Sequence, residues 1–208
     1  MFSHNNIYTH NIFHSNGAGV AVMYSRKVQM YENHFDYNWG AAAYGILLKD
    51  ISDSHIWHNY FEHNTAGIYL EGASRIVIEE NVFRENGWAL RVQASCDANT
   101  IRNNDFFGNS FDVSTNGSLV LNTFDGNYWD KYEGYDLNRD GIGDVPFRPV
   151  SLYATIVEQM PYGLMLMRSF MVYLMDKAEK IMPSLTPENL LDDSPNMKPR
   201  FTHASKNN

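Results

Sequence analysis

The sequence predicts an all-β chain folded as a right-handed parallel β-helix, a solenoid of about 22 residues per coil, and three observations predict it. One phrase, Asn-x-hydrophobic-x-x-Asn with Phe at the third position, is written six times: Asn11–Asn16, Asn33–Asn38, Asn59–Asn64, Asn81–Asn86, Asn104–Asn109 and Asn122–Asn127. The copies begin 22, 26, 22, 23 and 18 residues apart, and a period between about 20 and 50 residues marks a solenoid. Between the phrases, polar and apolar residues alternate over three to five positions, which is the strand period and too short a run for helices.

Each coil reads as three short strands. One follows a glycine, as in Gly19–Val22, Gly45–Leu48 and Gly67–Leu70. A second follows a serine, as in Ser25–Met30, Ser54–Trp57 and Ser74–Ile78. The Asn-x-Phe phrase supplies the third. Phenylalanines at one phase are expected to stack inward at the ~4.8 Å spacing of paired strands. Asparagines at a fixed corner tolerate turn dihedrals and can bond the same asparagine one coil away, so their expected role is structural.

Composition narrows the function classes. The net charge is −8 across 208 residues, and no basic block is present, so nucleic acid is not an expected partner. The single cysteine, Cys96, excludes an intrachain disulfide and reads as an inert buried thiol. Met1–Ile7 enters the repeat in mid-coil, where a solenoid needs a capping coil. That predicts the C-terminal part of a longer protein, with any export signal upstream.

Three zones follow. Residues 1–126 are solenoid coils. Residues 127–150 form an aromatic and acidic cap over the last coil. Residues 151–208 form a tail, helical in its first half. From Pro183 through Thr186-Pro187, Asp192–Pro195 and Lys198-Pro199 the tail is polar and proline-rich, an extended or disordered composition unless a partner orders it.

The cap contains a cation-loop spacing. Asp136, Asn138, Asp140 and Asp144 place oxygens at positions 1, 3, 5 and 9 of an EF-hand-like loop, with Gly141 at the sharp turn and the Ile142 carbonyl at position 7. Phe147 stands where the bidentate Glu belongs. Calcium and a self-bonded Asx-turn loop are the two readings.

Seven of the eight histidines lie between positions 4 and 63. The repeat phase stacks His10, Glu32, His58 and Glu80 in one outward column and His14, Asp36, Glu62 and Arg84 in another. Imidazole with carboxylate suits Cu(II) or Zn(II), and His55, His58 and His63 are the densest candidate cluster. A solvated face of alternating charge is the plainer reading. Six of the ten methionines crowd into 160–182, ending at Met182, and Met167, Met171 and Met175 recur at i, i+4 and i+8. Thioethers select Cu(I) and also make adaptable apolar surface. The run Leu164–Met175 is interrupted only by Arg168 and Ser169. It is too short to span a bilayer and too apolar for a free surface helix. Leu164, Met167, Phe170, Met171, Leu174 and Met175 are therefore the candidate contact set for a partner groove or membrane interface.

The order of solenoid, Asn127-Tyr-Trp129, Tyr135–Pro146 and Met-rich tail resembles the C-terminal part of the NosD family, over about residues 1–200. The resemblance implies a non-enzymatic periplasmic β-helix associated with an ABC transporter whose permease and ATPase are separate subunits. It further implies transient copper, a copper chaperone and nitrous oxide reductase as partners, and maturation of that enzyme's copper-sulfur centre. The Met-rich helix then resembles the element that engages the permease at the membrane surface. Two other classes compete: a carbohydrate-binding or polysaccharide-active β-helix of lyase or epimerase type, and a structural adhesin. Pectinase-type paired Asp and Gly-His-Gly signatures are absent, the one Asp-Asp being Asp192-Asp193 in the tail, and an adhesin does not explain the Met-rich helix.

Overall fold

The computed structural model describes residues 2–117, 121–167, 169–181 and 190–201. Arg168, Met182, Pro183 and Thr186-Pro187 lie outside the described residues. The chain winds into a parallel β-solenoid with three faces. The first face stacks Ile7–Thr9, Gln29–Tyr31, His55–Trp57, Val77–Glu79, Asp97–Arg102 and Leu121–Asp125. The second stacks Ile12–His14, His34–Asp36, Tyr60–Glu62, Val82–Arg84, Asp105–Phe107 and Tyr128–Trp129. The third stacks Ala18–Met23, Tyr44–Lys49, Ala66–Glu71, Trp88–Val92 and Phe111–Ser114.

Asparagine sets the repeat. Asn59 is fully buried. Its Nδ2 donates to Met30 O, Trp57 O and Asn81 Oδ1, and its Oδ1 accepts from both the backbone N and the Nδ2 of Asn33. The same arrangement joins Asn11, Asn33, Asn59, Asn81, Asn104 and Asn127, each pair 2.9–3.1 Å apart. A second ladder joins Asn16, Asn38, Asn64, Asn86 and Asn109. Both ladders follow corners where the preceding residue has positive φ, such as His58 (53°) and Glu80 (55°). Left-handed backbone at a residue other than glycine costs roughly 1 kcal/mol. The bonds made by the adjoining asparagine hold it there.

Inside, Phe13, Phe35, Phe61, Phe83 and Phe106 stack with ring centroids 4.8–4.9 Å apart, as the sequence predicts. The sixth copy departs from that reading. Its Phe124 pairs with Ile101 on the first face, one strand out of phase. Trp129 takes the sixth place in the stack, 4.1 Å from Phe106. The short 18-residue interval carried this information, because the ladder spacing from Asn104 to Asn127 is an ordinary 23. Asn122 instead continues a third ladder from Asn99.

The third face approaches this stack so closely that it needs glycine. A Cβ at Gly45 would lie 2.7 Å from Gly67 O and 3.1 Å from Phe61 Cδ1.

The tail closes the solenoid. The sequence leaves the segment after Pro183 to a partner for its order, but residues 190–201 pack on the chain's own last coils. Asp192 is fully buried. Its Oδ2 accepts from Asn127 N, Asn127 Nδ2 and Trp129 Nε1 at 2.9–3.0 Å. Its Oδ1 accepts from Gly126 N at 3.0 Å and Ser194 N at 3.3 Å. Asp192 thus occupies the place of the next asparagine. Every group facing it is a donor, which is why a carboxylate ends the ladder where an amide would present a donor to a donor. Its backbone pairs antiparallel with Phe147, both bonds at 2.9 Å, so the cap strand lies beyond the tail strand. Further along, the amides of Arg200 and Phe201 donate to the buried carboxylate of Asp105 at 3.1 and 2.9 Å.

Two predictions follow from this packing. Asp192→Ala strands several buried donors, each costing about 1–3 kcal/mol, so chemical denaturation should show a loss of at least ~3 kcal/mol, with Asp192→Asn losing less. Gly45→Ala should lower stability by about 1–3 kcal/mol through overpacking, read in the same assay.

Candidate functional site

The outward faces carry the histidines, and the register pairs them with carboxylates. His10 meets Glu32 at 2.6 Å, His58 meets Glu80 at 2.6 Å and His14 meets Asp36 at 2.8 Å, each one coil away. Both columns expected from the repeat phase are therefore present. His55 contacts Glu79 at 2.7 Å, and Glu79 also takes Arg102 at 2.7 Å. Burial pushes the Glu79 carboxyl up, but the Arg102 and His55 hydrogen bonds outweigh it and hold the group below the usual glutamate range. Asp53 is held down to about 2 by hydrogen bonds from Arg75 and Ser52. His63 faces Glu85 at 3.5 Å.

His55, His58 and His63 thus each face a different carboxylate. Among the described residues, no three His, Cys, Asp or Glu side chains converge as metal ligands. Two-donor pairs suit passing contact with a metal better than a closed site, which takes about four ligands.

The oxygen-rich loop bonds to itself. Asp136 accepts from the amides of Arg139, Asp140 and Gly141 at 2.6–3.2 Å. Asn138 Oδ1 takes the Asp140 amide, Asp140 Oδ1 takes the Ile142 amide, and Asp144 takes the Leu137 amide. These are Asx-turn bonds, and each carboxylate oxygen that accepts an amide keeps lone pairs free.

The second ladder ends locally. Asn109 Nδ2 donates to the buried Asp112 Oδ1 at 3.4 Å, and Lys131 pairs with Asp112 at 3.0 Å and donates to the Asn109 carbonyl at 2.7 Å. Burial pushes the Asp112 carboxyl up while Lys131 pulls it back. Asp112 and Lys131 line a cleft of about 1020 Å³ between cap and tail, shared with Arg148, Tyr153, Met167 and Val172.

The tail's helical part is a hairpin: α1 (Leu152–Gln159), a 3₁₀ turn (Pro161–Leu166) and α2 (Phe170–Ile181). Ser151 caps α1 by accepting from Ala154 N at 3.1 Å, and Pro161 ends the regular helical run. This break divides the methionine stripe. Met167 closes the 3₁₀ turn rather than lying on α2. Met171 is exposed, whereas Met175 and Leu164 pack on a small apolar cluster of Phe111, Tyr153, Ala154 and Val157. Phe170 is 73% and Leu174 45% exposed. The sequence's contact set therefore splits into an outward group, Met167, Phe170, Met171 and Leu174, and an anchoring pair. Sequence reasoning missed Tyr162 and Met165, which are more than 80% exposed at the hairpin tip. The prolyl break before them was the signal. No helix among the described residues is long and apolar enough to cross a membrane.

Comparisons with known proteins find relatives of this chain. Residues 1–134 match the family model described as "Periplasmic copper-binding protein (NosD)". The chain is similar to a protein of Stutzerimonas stutzeri named "Probable ABC transporter binding protein NosD", at 28% identity over 86% of this chain and 44% of that protein. It is similar to a protein of the same name from Pseudomonas aeruginosa, at 28% identity over 74% of this chain and 40% of that protein. The chain spans less than half the length of these curated relatives. The match across the coils, with relatives that extend it into the cap and tail, establishes that this chain belongs to the NosD family.

Proposed function

We propose that this chain is part of a periplasmic, non-enzymatic subunit of an ABC transporter, and that its helical hairpin is the element that docks on the permease at the membrane surface. One observation carries this reading. Between Tyr162 and Leu174, eight large apolar side chains are exposed, on a solenoid whose outer columns are charged pairs. Apolar surface of this density marks an interaction site. The family description and the relatives' name, a transporter binding protein, support it.

Copper, in this reading, is cargo. The exposed thioethers of Met165, Met167 and Met171 offer soft donors on the docking surface, and the histidine–carboxylate pairs offer harder ones along the solenoid. Transfer between weak, open sites fits delivery better than storage. The destination we infer is the copper-sulfur centre of nitrous oxide reductase, with a copper chaperone upstream and the transporter's ATPase driving the cycle.

The test must keep Asp192, because a chain cut at Pro149 loses the solenoid's closure together with the hairpin. Affinity capture from membranes of a denitrifying cell should recover the permease and ATPase with the intact chain. Phe170→Ser with Leu174→Ser should reduce recovery at least tenfold without changing the melting temperature. Equal recovery with the variant, or no permease with either protein, would remove the hairpin from this role.

A further inference from the structure

The hairpin is fastened at both ends and loosely held between them. Val150 at its start and Leu190 after it are buried in the main core, with Leu190 two residues before the Asp192 closure. The hairpin itself rests on a separate cluster, to which the solenoid contributes Phe111 with Trp88 at its edge. Among the described residues, an ion pair links its side chains to the solenoid: Arg91 Nη2 meets Glu158 Oε1 at 2.7 Å, with the Glu158 side chain 7% exposed. Arg91 lies between the rings of Tyr69 and Trp88, 5.2 Å from each.

This seat is incompletely satisfied. Among the described residues, five buried side-chain polar atoms have no hydrogen-bond partner, and four lie here: Trp88 Nε1, Arg91 Nε, Ser114 Oγ and Glu158 Oε2. Ser114 is the register partner of Arg91 on the next coil. A buried polar atom without a partner carries a desolvation penalty that water removes. An ion pair with one partner largely buried gives back little of its own desolvation cost. Lifting α1 therefore trades the apolar contacts of this separate cluster against hydration of four polar atoms. The buried asparagines of the ladders next to it face no such trade, because their amides are bonded.

We propose that the hairpin is a releasable arm and that Arg91–Glu158 is its latch. With its ends fixed at Val150 and Leu190, the arm lifts without disturbing the solenoid. Lifting uncovers Phe111, Tyr153 and Val157, enlarging the apolar surface offered to the permease. The role of that surface rests on the docking function proposed above, but the latch is a property of the chain alone.

Amide hydrogen exchange on the isolated chain tests the latch without any partner. The amides of Thr155 and Met160, bonded within the α1 region to Ser151 O and Ile156 O, should exchange at least 100-fold faster than Leu90 in the solenoid. Glu158→Gln should speed them a further tenfold or more and leave Leu90 unchanged. Arg91→Met with Glu158→Leu, an apolar replacement of both partners, should restore slow exchange. Exchange of α1 at the rate of Leu90, or indifference to Glu158→Gln, would overturn the proposal. Docking lost in the capture experiment with this exchange pattern intact would instead refute the docking role and leave the latch standing.

Discussion

A buried asparagine amide has two donors and an acceptor oxygen to satisfy, and a column of them one strand spacing apart satisfies them collectively. Asn59 shows the pattern: its Oδ1 takes two donors from the coil before it, and its Nδ2 reaches the coil after it, its own turn and a carbonyl of the coil before. The ladder fixes the position of every corner. It thereby fixes the register of the strands that leave the corner and the depth of the phenylalanine that follows two residues later. The aromatic stack, the close approach of Gly45 to the next coil and the alternation of outward charge all depend on that register.

A ladder of identical groups cannot end itself. At the C-terminal end the two ladders are closed by different charged residues: Asp192 arrives from 65 positions away to accept from Asn127, and Lys131 with Asp112 closes the other column locally. The long-range closure has a topological consequence. To bring Asp192 back, the chain between Val150 and Leu190 leaves the solenoid and returns, and that excursion contains the apolar hairpin. The feature that stabilises the last coil thus also presents the surface read here as the docking element.

The period, the strand faces and the phenylalanine stack were legible because each is repeated, so that five in-phase copies report one geometry. The histidine–carboxylate columns were legible for the same reason, since the phase aligns His10 with Glu32 and His58 with Glu80. What occurs once was harder to read. Phe124 copies the local phrase yet belongs to another face, because in a coil of ordinary length Asn122 continues the Asn99 ladder while Asn127 continues that of Asn104, and only the spacing betrays it. Asp192 sits in a polar, proline-rich stretch that looks unstructured, and nothing local says that four donors await it. The hairpin's composition was plain, but its break at Pro161 turned a single stripe into exposed Met171 and packed Met175. The Arg91–Glu158 contact joins residues 67 positions apart and leaves no trace in local pattern.

Closure of the asparagine ladder by the chain's own tail underlies both the ordered last coil and the excursion that carries the hairpin. Amide exchange at Gly126 and Asn127, whose hydrogens point to Asp192 across the last coil, measures it directly. If Asp192 closes the column, both amides are protected to the same degree as those of Asn81 and Asn104 in the middle of the ladder. Exchange at the rate of an open solenoid end would show that Asp192 does not close the column, and the origin assigned to the hairpin would fall with it.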